Sequence, residues 1–277
     1  MAVRSPADKP KPASSRKVAS VKAKTKSTVI AKAAEKPVRR SKRAVEETGA
    51  PVVTLGAEKK FNAIWTAREK ALAELFGPTT PKGKLIDAEG ESLNAPAALS
   101  AGFGTLQFAP TEERMSWLYV THGLSQRGPA AELAILCKSQ DCKRAARVLW
   151  QVSEFARSGK DLVRPGELIP TDKLASAGPG LQHWIVCPPD RSLPAHLNVS
   201  GSKINLLLLM GITEAEMQSA LRVRPELADG PQVLIEALRV GGIYPVTDLR
   251  RNCLTRRGDF NRLWETAFRA VRERAGR

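Results

Sequence analysis

Histidine and cysteine are scarce here: three His and four Cys among 277 residues. Nucleophilic catalysis needs a thiol or hydroxyl beside a base, and His122, His183 and His196 are the whole stock of imidazoles. No Gly-x-Ser-x-Gly elbow, P-loop or dinucleotide fingerprint accompanies them. His122, in Thr121-His122-Gly123, falls where a strand should end, a place that suits a presented catalytic side chain or a structural turn. The expectation is a protein that is not an enzyme, with a hydrolase using His122 or a cysteine as the lesser alternative. Cys137-x4-Cys142 and His183-x3-Cys187 are of zinc-ligand type, but tight Cys-x2-Cys knuckles are missing. On a strand, His183 and Cys187 would stand roughly 13 Å apart at about 3.3 Å per residue, too far to share one ion. No metal and no cofactor is expected.

Long apolar runs are also lacking. The longest, Ile204 to Ile212, is broken by Asn205 and Gly211 and falls short of a bilayer span. Four cysteines do not suggest a disulfide scaffold, and no cleavable secretion signal is visible. The expectation is a soluble, cytoplasmic protein with no membrane partner.

What is abundant is positive charge, unevenly placed. The formal net charge is +16. Residues 1–50 hold 14 Lys and Arg against 4 Asp and Glu, and residues 250–277 hold 9 Arg against 3 acids, leaving the middle with 21 of each sign. A folded face built to grip nucleic acid would show a basic excess within the folded span, which is absent. Residues 1–54 are rich in Lys, Ala, Pro, Ser and Val, with almost no large apolar side chain apart from Ile30. Such a segment cannot bury enough surface to offset chain entropy, so a disordered tail is expected. Lys22, Lys24 and Lys26, with Arg39, Arg40, Lys42 and Arg43, read either as a non-specific nucleic-acid-binding arm acting by counterion release or as a solubilising extension.

The remainder carries enough apolar residues, 42% of the chain, for a sizeable core. A helix is predicted over 57–76, with Phe61, Ile64, Trp65, Leu72, Leu75 and Phe76 on one face and Arg68 off it, stopped by Gly77-Pro78. Strands are predicted at 84–88, 105–108, 117–121, 131–137, 181–187 and 206–209. Trp150, Val152, Phe155 and Ala156 mark a helix over 143–157, capped near Asp141 and ended by Gly159. Val163 to Glu167 reads as a turn, and Pro188 to Pro194 as a rigid loop. Thr213 with Glu216 three residues on has capping-box spacing, predicting a helix over 214–223 in which Glu214 and Glu216 do dipole and capping work. Helices over 232–240 and 259–274 complete the list, the last burying Phe260, Leu263, Trp264, Ala267, Phe268 and Val271.

Several segments in this order resemble the suppressor of fused domain family in its bacterial form. They are Thr121-His122-Gly123-Leu124-Ser125, Glu132 to Leu136, the Trp150 helix, Pro165 to Pro170, the strand ending at Cys187, Gly211 to Glu216, and Pro245 to Arg251. No one motif is diagnostic; the ordered set is specific. The fold class that both readings imply is mixed α/β (α+β): a mixed sheet flanked by helices. The expected organisation is a tail over 1–54, a suppressor-of-fused-like domain over 55–255 and an amphipathic Arg-rich helix over 256–277.

The resemblance also implies a non-enzymatic role. Animal members bind and hold a transcription factor; bacterial members are associated with toxin systems as immunity proteins. The leading expectation is a module that sequesters a protein partner, a toxin or a regulatory protein. Asp248, Arg250 and Arg251 are the candidate partner-facing cluster, because Arg suits desolvated ion pairs and interface hot spots; the same residues could instead form an Arg–carboxylate lock onto the core. The competing expectation is a DNA- or RNA-associated protein held by its basic tail and C-terminal helix.

Overall fold

The computed structural model describes residues 55–80, 85–88, 90–93, 102–126, 131–157, 163–170, 180–199, 201–248 and 250–276. The basic tail, with Lys22 to Lys26 and Arg39 to Arg43, and the expected helix stop at Gly159 lie outside them.

The longest strand, β9 (Ser202–Ile212), is the axis of the fold. Its residues Leu206 to Ile212 are all buried, as expected for a strand covered on both faces. One edge of β9 pairs in parallel with β5 (Ala131–Cys137), Ala131 opposite Asn205 and Ala134 opposite Leu208. The other edge is shared end to end by two antiparallel strands: β8 (His196–Val199) beside 202–205 and β7 (His183–Cys187) beside 208–212. Beyond β7 lies β6 (Leu168–Pro170). Beyond β5, an antiparallel meander runs through β4 (Trp117–His122) and β3 (Gly104–Phe108) to the short pair β1 (Leu85–Ile86) and β2 (Ser92–Leu93). The result is a nine-stranded mixed sheet among the described residues.

Strand alternation divides the core in two. Leu118, Val120, Ala134, Leu136, Ile185, Leu208 and Met210 face a layer built from α1 (Leu55–Phe76), α3 (Glu214–Leu221), α4 (Gly230–Val240) and α5 (Phe260–Ala275). Tyr119, Leu133, Ile135, Trp184, Val186 and Leu209 face α2 (Cys142–Arg157), which contributes Ala145, Ala146, Val148, Leu149, Val152 and Ala156. Burying one such aliphatic side chain contributes about 1.5–3 kcal/mol. The mixed α/β fold expected from the sequence is the fold observed.

Local chemistry sets the helix ends. Asp141 Oδ1 accepts the Arg144 N–H at 3.2 Å at the start of α2. Both halves of the Thr213/Glu216 capping box are made at α3. Asp229 caps α4, and Gly241 follows its last turn. Helix α5 is docked, burying Leu263, Ala267 and Val271 in the same core as α4.

Three details depart from the sequence pattern. In α1 the buried stripe is Arg68, Leu72 and Phe76, whereas Leu75, expected inside, is 51% exposed; Arg68, expected on the polar face, turns inward because a buried carboxylate awaits it. Helix α3 stops at Leu221 rather than 223. Strands β2 and β8 lie in stretches not assigned as strands; β8 alternates exposed and buried residues but includes His196 and Asn198, so little hydrophobic signal marks it.

Helices α3 and α4 meet at Gly230, where an added Cβ would lie 2.0 Å from the Ala220 carbonyl oxygen. Gly230→Ala should destabilise the protein by about 2–3 kcal/mol through overpacking. Gly258→Ala, whose Cβ meets nothing within 4 Å, should change stability by less than about 0.5 kcal/mol. Thermal melts of the two variants check this.

Candidate functional site

Strand β4 ends in Thr121-His122, and the chain reverses through Gly123 at φ +101 into a 3-10 turn, Leu124–Gln126. A Cβ at Gly123 would meet the Gly102 carbonyl oxygen at 2.9 Å, so both dihedral and space demand glycine. The turn is organised around Glu132 of β5, which is 2% exposed. Its carboxylate accepts from Thr121 Oγ1 at 2.6 Å, Ser125 Oγ at 2.7 Å and Arg68 Nη1 at 2.9 Å. It also accepts the backbone N–H groups of Gly123, Leu124 and Ser125 at 3.2–3.3 Å. Burial pushes the Glu132 carboxyl up from its ordinary value, opposed by the Thr121 and Ser125 hydrogen bonds and the Arg68 charge.

His122 is 2% exposed and packs its ring 4.5 Å from that of Trp65. Nε2 lies 3.2 Å from the Trp65 carbonyl, so it carries the proton there, and Nδ1 has no partner among the described residues. Burial lowers its pKa to about 4, so the ring is neutral at pH 7. Of the two readings of this position, its surroundings are those of a structural turn.

The described residues of zinc-ligand type are not gathered at one point. Cys137 belongs to the core facing α2, Cys187 to the opposite core, and the Cys142 side chain is outside the described residues. Burial pushes the Cys137 thiol up to about 12, with the Asp141 charge adding to the effect. Among the described residues no group of three or more His, Cys, Asp or Glu is disposed to hold a metal ion, and no helix is long and apolar enough to cross a membrane.

A second buried carboxylate sits at the start of α3. Glu216 is 0% exposed and takes both terminal nitrogens of Arg251 at 2.6 Å. It also accepts the backbone N–H groups of Leu254 at 2.6 Å and Thr213 at 2.9 Å. Arg251 Nη2 donates in addition to the Gly211 carbonyl at 2.9 Å. Residues 250–254, the end of β9 and the first turn of α3 are thereby fastened at one point.

Of the candidate partner-facing cluster, Arg251 is thus engaged internally, forming the lock that was its other reading. Asp248 is half-buried, held by Lys138 Nζ at 3.3 Å and by the Arg250 backbone N–H at 2.9 Å. That N–H and then Lys138 hold its carboxyl below the ordinary value. The Arg250 side chain is exposed.

Beside Arg251 opens a cleft of about 720 Å³. Its lining includes Gln182 and Gly180 before β7, Thr213, Glu214, Gln218 and Arg222 of the α3 segment, and Arg250, Asn252, Cys253 and Arg256. Glu214 is paired with His183 Nε2 and accepts from Gln218 at 2.8 Å, which with His183 holds its carboxyl below the ordinary value. Arg222 and Arg256 were not singled out from the sequence; the one available signal was the density of arginines over 250–257.

The family model for suppressor of fused protein (SUFU) matches residues 101–252. A crystal structure described as a SUFU homologue from Neisseria gonorrhoeae is similar to this chain at 16% identity and a TM-score of 0.50, covering 69% of this chain and 97% of that one. A chain of the Sufu–Fu complex crystal structure is similar at 14% identity and a TM-score of 0.51, covering 75% and 96%. No curated protein matches.

Two outcomes follow from the buried groups. Arg251→Met removes both guanidinium donors from the buried Glu216 carboxyl group and should cost about 3–5 kcal/mol in urea unfolding; the double variant Glu216→Gln/Arg251→Met should recover part of that. For His122, the folded pKa of about 4 lies below the unfolded 6.5. Its contribution is therefore fully present above pH 6.5 and is lost as pH falls toward 4, by about 3 kcal/mol. Urea midpoints across this window should fall less steeply in His122→Phe than in the wild type.

Proposed function

We propose, from the premise that this chain belongs to the suppressor of fused protein family, that it is a non-enzymatic protein-binding module acting by sequestering a protein partner. The observation that carries this reading is the family match across the central sheet and α3, joined to the fold likeness to a chain crystallised in the Sufu–Fu complex. The partner is a toxin, neutralised as by an immunity protein, or a regulatory protein, met in the cytoplasm. The binding face is the one around Asp248 to Arg251, with Arg250 presented and Arg251 holding the segment in place, or an edge of the sheet.

Charge supports a second reading, a DNA- or RNA-associated protein held by its tail and C-terminal helix. Residues 1–50 carry 14 basic against 4 acidic residues. In α5, however, Arg269 pairs with Glu265, Arg274 with Glu236 and Arg262 with Asp259, so much of the helix's charge is answered within the molecule.

Affinity capture from the native source, with the full chain and a form limited to residues 55–277, each with and without nuclease, separates the two. One stoichiometric protein should remain on the truncated form after nuclease. Captured material that is mostly nucleic acid, with steep salt dependence and lost with the tail, would overturn the module reading.

A further inference from the structure

We infer that the cleft between α3 and residues 250–256 is a docking site for an acidic peptide segment of the protein partner; the inference rests on the protein-binding reading and gives that partner its chemistry. Arg222, Arg250 and Arg256 line the cleft and are exposed. None of the three side chains forms an ion pair among the described residues. Several arginines elsewhere face acids: Arg68 faces Glu132, Arg239 and Arg274 face Glu236, and Arg257 and Arg262 face Asp259; Arg147, Arg164 and Arg191 are also exposed, but they lie on separate segments, in α2, before β6 and after β7. Three exposed guanidinium groups gathered around one concavity form a local positive field, and charge complementarity selects an anionic occupant.

Two features favour a peptide over a nucleic acid. The lining carries amide side chains suited to an extended backbone, Gln182, Gln218 and Asn252. It also carries Glu214, a carboxylate kept ionised by Gln218 and His183, which repels a continuous phosphate backbone but leaves room for side-chain carboxylates spaced along a peptide. The volume, about 720 Å³, lies within the ordinary range of ligand clefts. Arg251 braces the wall from below through Glu216, so the wall is in place before a ligand arrives.

The test uses the full chain and a fluorescein-labelled decaglutamate peptide, read by fluorescence anisotropy. Because the tail also attracts acids, every variant keeps it. Arg222→Gln/Arg250→Gln/Arg256→Gln should weaken peptide binding by about tenfold, the product of three modest Arg–carboxylate attractions. A control at exposed arginines away from the cleft, Arg147→Gln/Arg164→Gln/Arg191→Gln, should change it by less than about twofold. Equal losses in the two triple variants would overturn the inference. So would a ten-nucleotide oligothymidine whose binding depends on the cleft arginines more strongly than the peptide's does. If wild type and cleft variant capture the same protein partner equally well, the cleft assignment fails while the module reading stands. If the wild type captures no protein, the module reading fails, and the anisotropy alone decides whether the cleft takes acidic peptide.

Discussion

Glu216 carries a charge with no access to water, and everything around the C-terminal half of the sheet answers to it. A buried carboxylate is tolerated only when donors surround it. Here they come from Arg251, Leu254 and Thr213, which lie on separate segments. To supply them, the chain after α4 must return across the end of β9, where Thr247 Oγ1 also accepts the Gly211 N–H. The return passes through a bridge between Thr247 and Cys137 at the end of β5. The 3-10 turn at Leu254–Arg256 then delivers the chain to α5. The Arg222–Arg256 cleft is the outer surface of this arrangement.

Glu132 does comparable work at the other end of β5. Its six donors bind the β4–β5 turn to Arg68 of α1, so the first helix is attached to the sheet by a charge as well as by Leu72 and Phe76. Both nodes are acids on or beside the two strands, β5 and β9, that form the parallel centre of the sheet. The polar network and the strand register therefore specify the same topology, the agreement between levels that a unique fold requires.

Much of the architecture was legible beforehand because it rests on period and punctuation. Ala131–Cys137 is apolar apart from Glu132 and was read with its bounds as observed; the capping box at Thr213 and the amphipathic stripe of α5 follow from three- and four-residue spacing. What was illegible depends on distant partners. Nothing near Arg68 reveals that it will face Glu132, since the pair spans 64 positions. Strand β8 has no hydrophobic run of its own and exists because the first residues of β9 lack another neighbour on that edge. The cleft combines residues from before β7, α3 and the 250–256 segment, whose proximity only the closed fold creates. Arg250 and Arg251, adjacent in sequence, illustrate the limit: one is exposed, the other 7% exposed and bound to Glu216, and their spacing alone could not assign those fates.

The parallel pairing of β5 with β9 also has a consequence for biosynthesis. The strands from β1 to β5 are joined by antiparallel pairings of short sequence separation, available as soon as Cys137 has left the ribosome. Its inner neighbour, β9, begins only at Ser202. During that interval β5 presents an unpaired apolar edge, and long-range closure of this kind is slow and exposed to association with other chains. Emergence of Ser202–Ile212 supplies the partner that covers this edge.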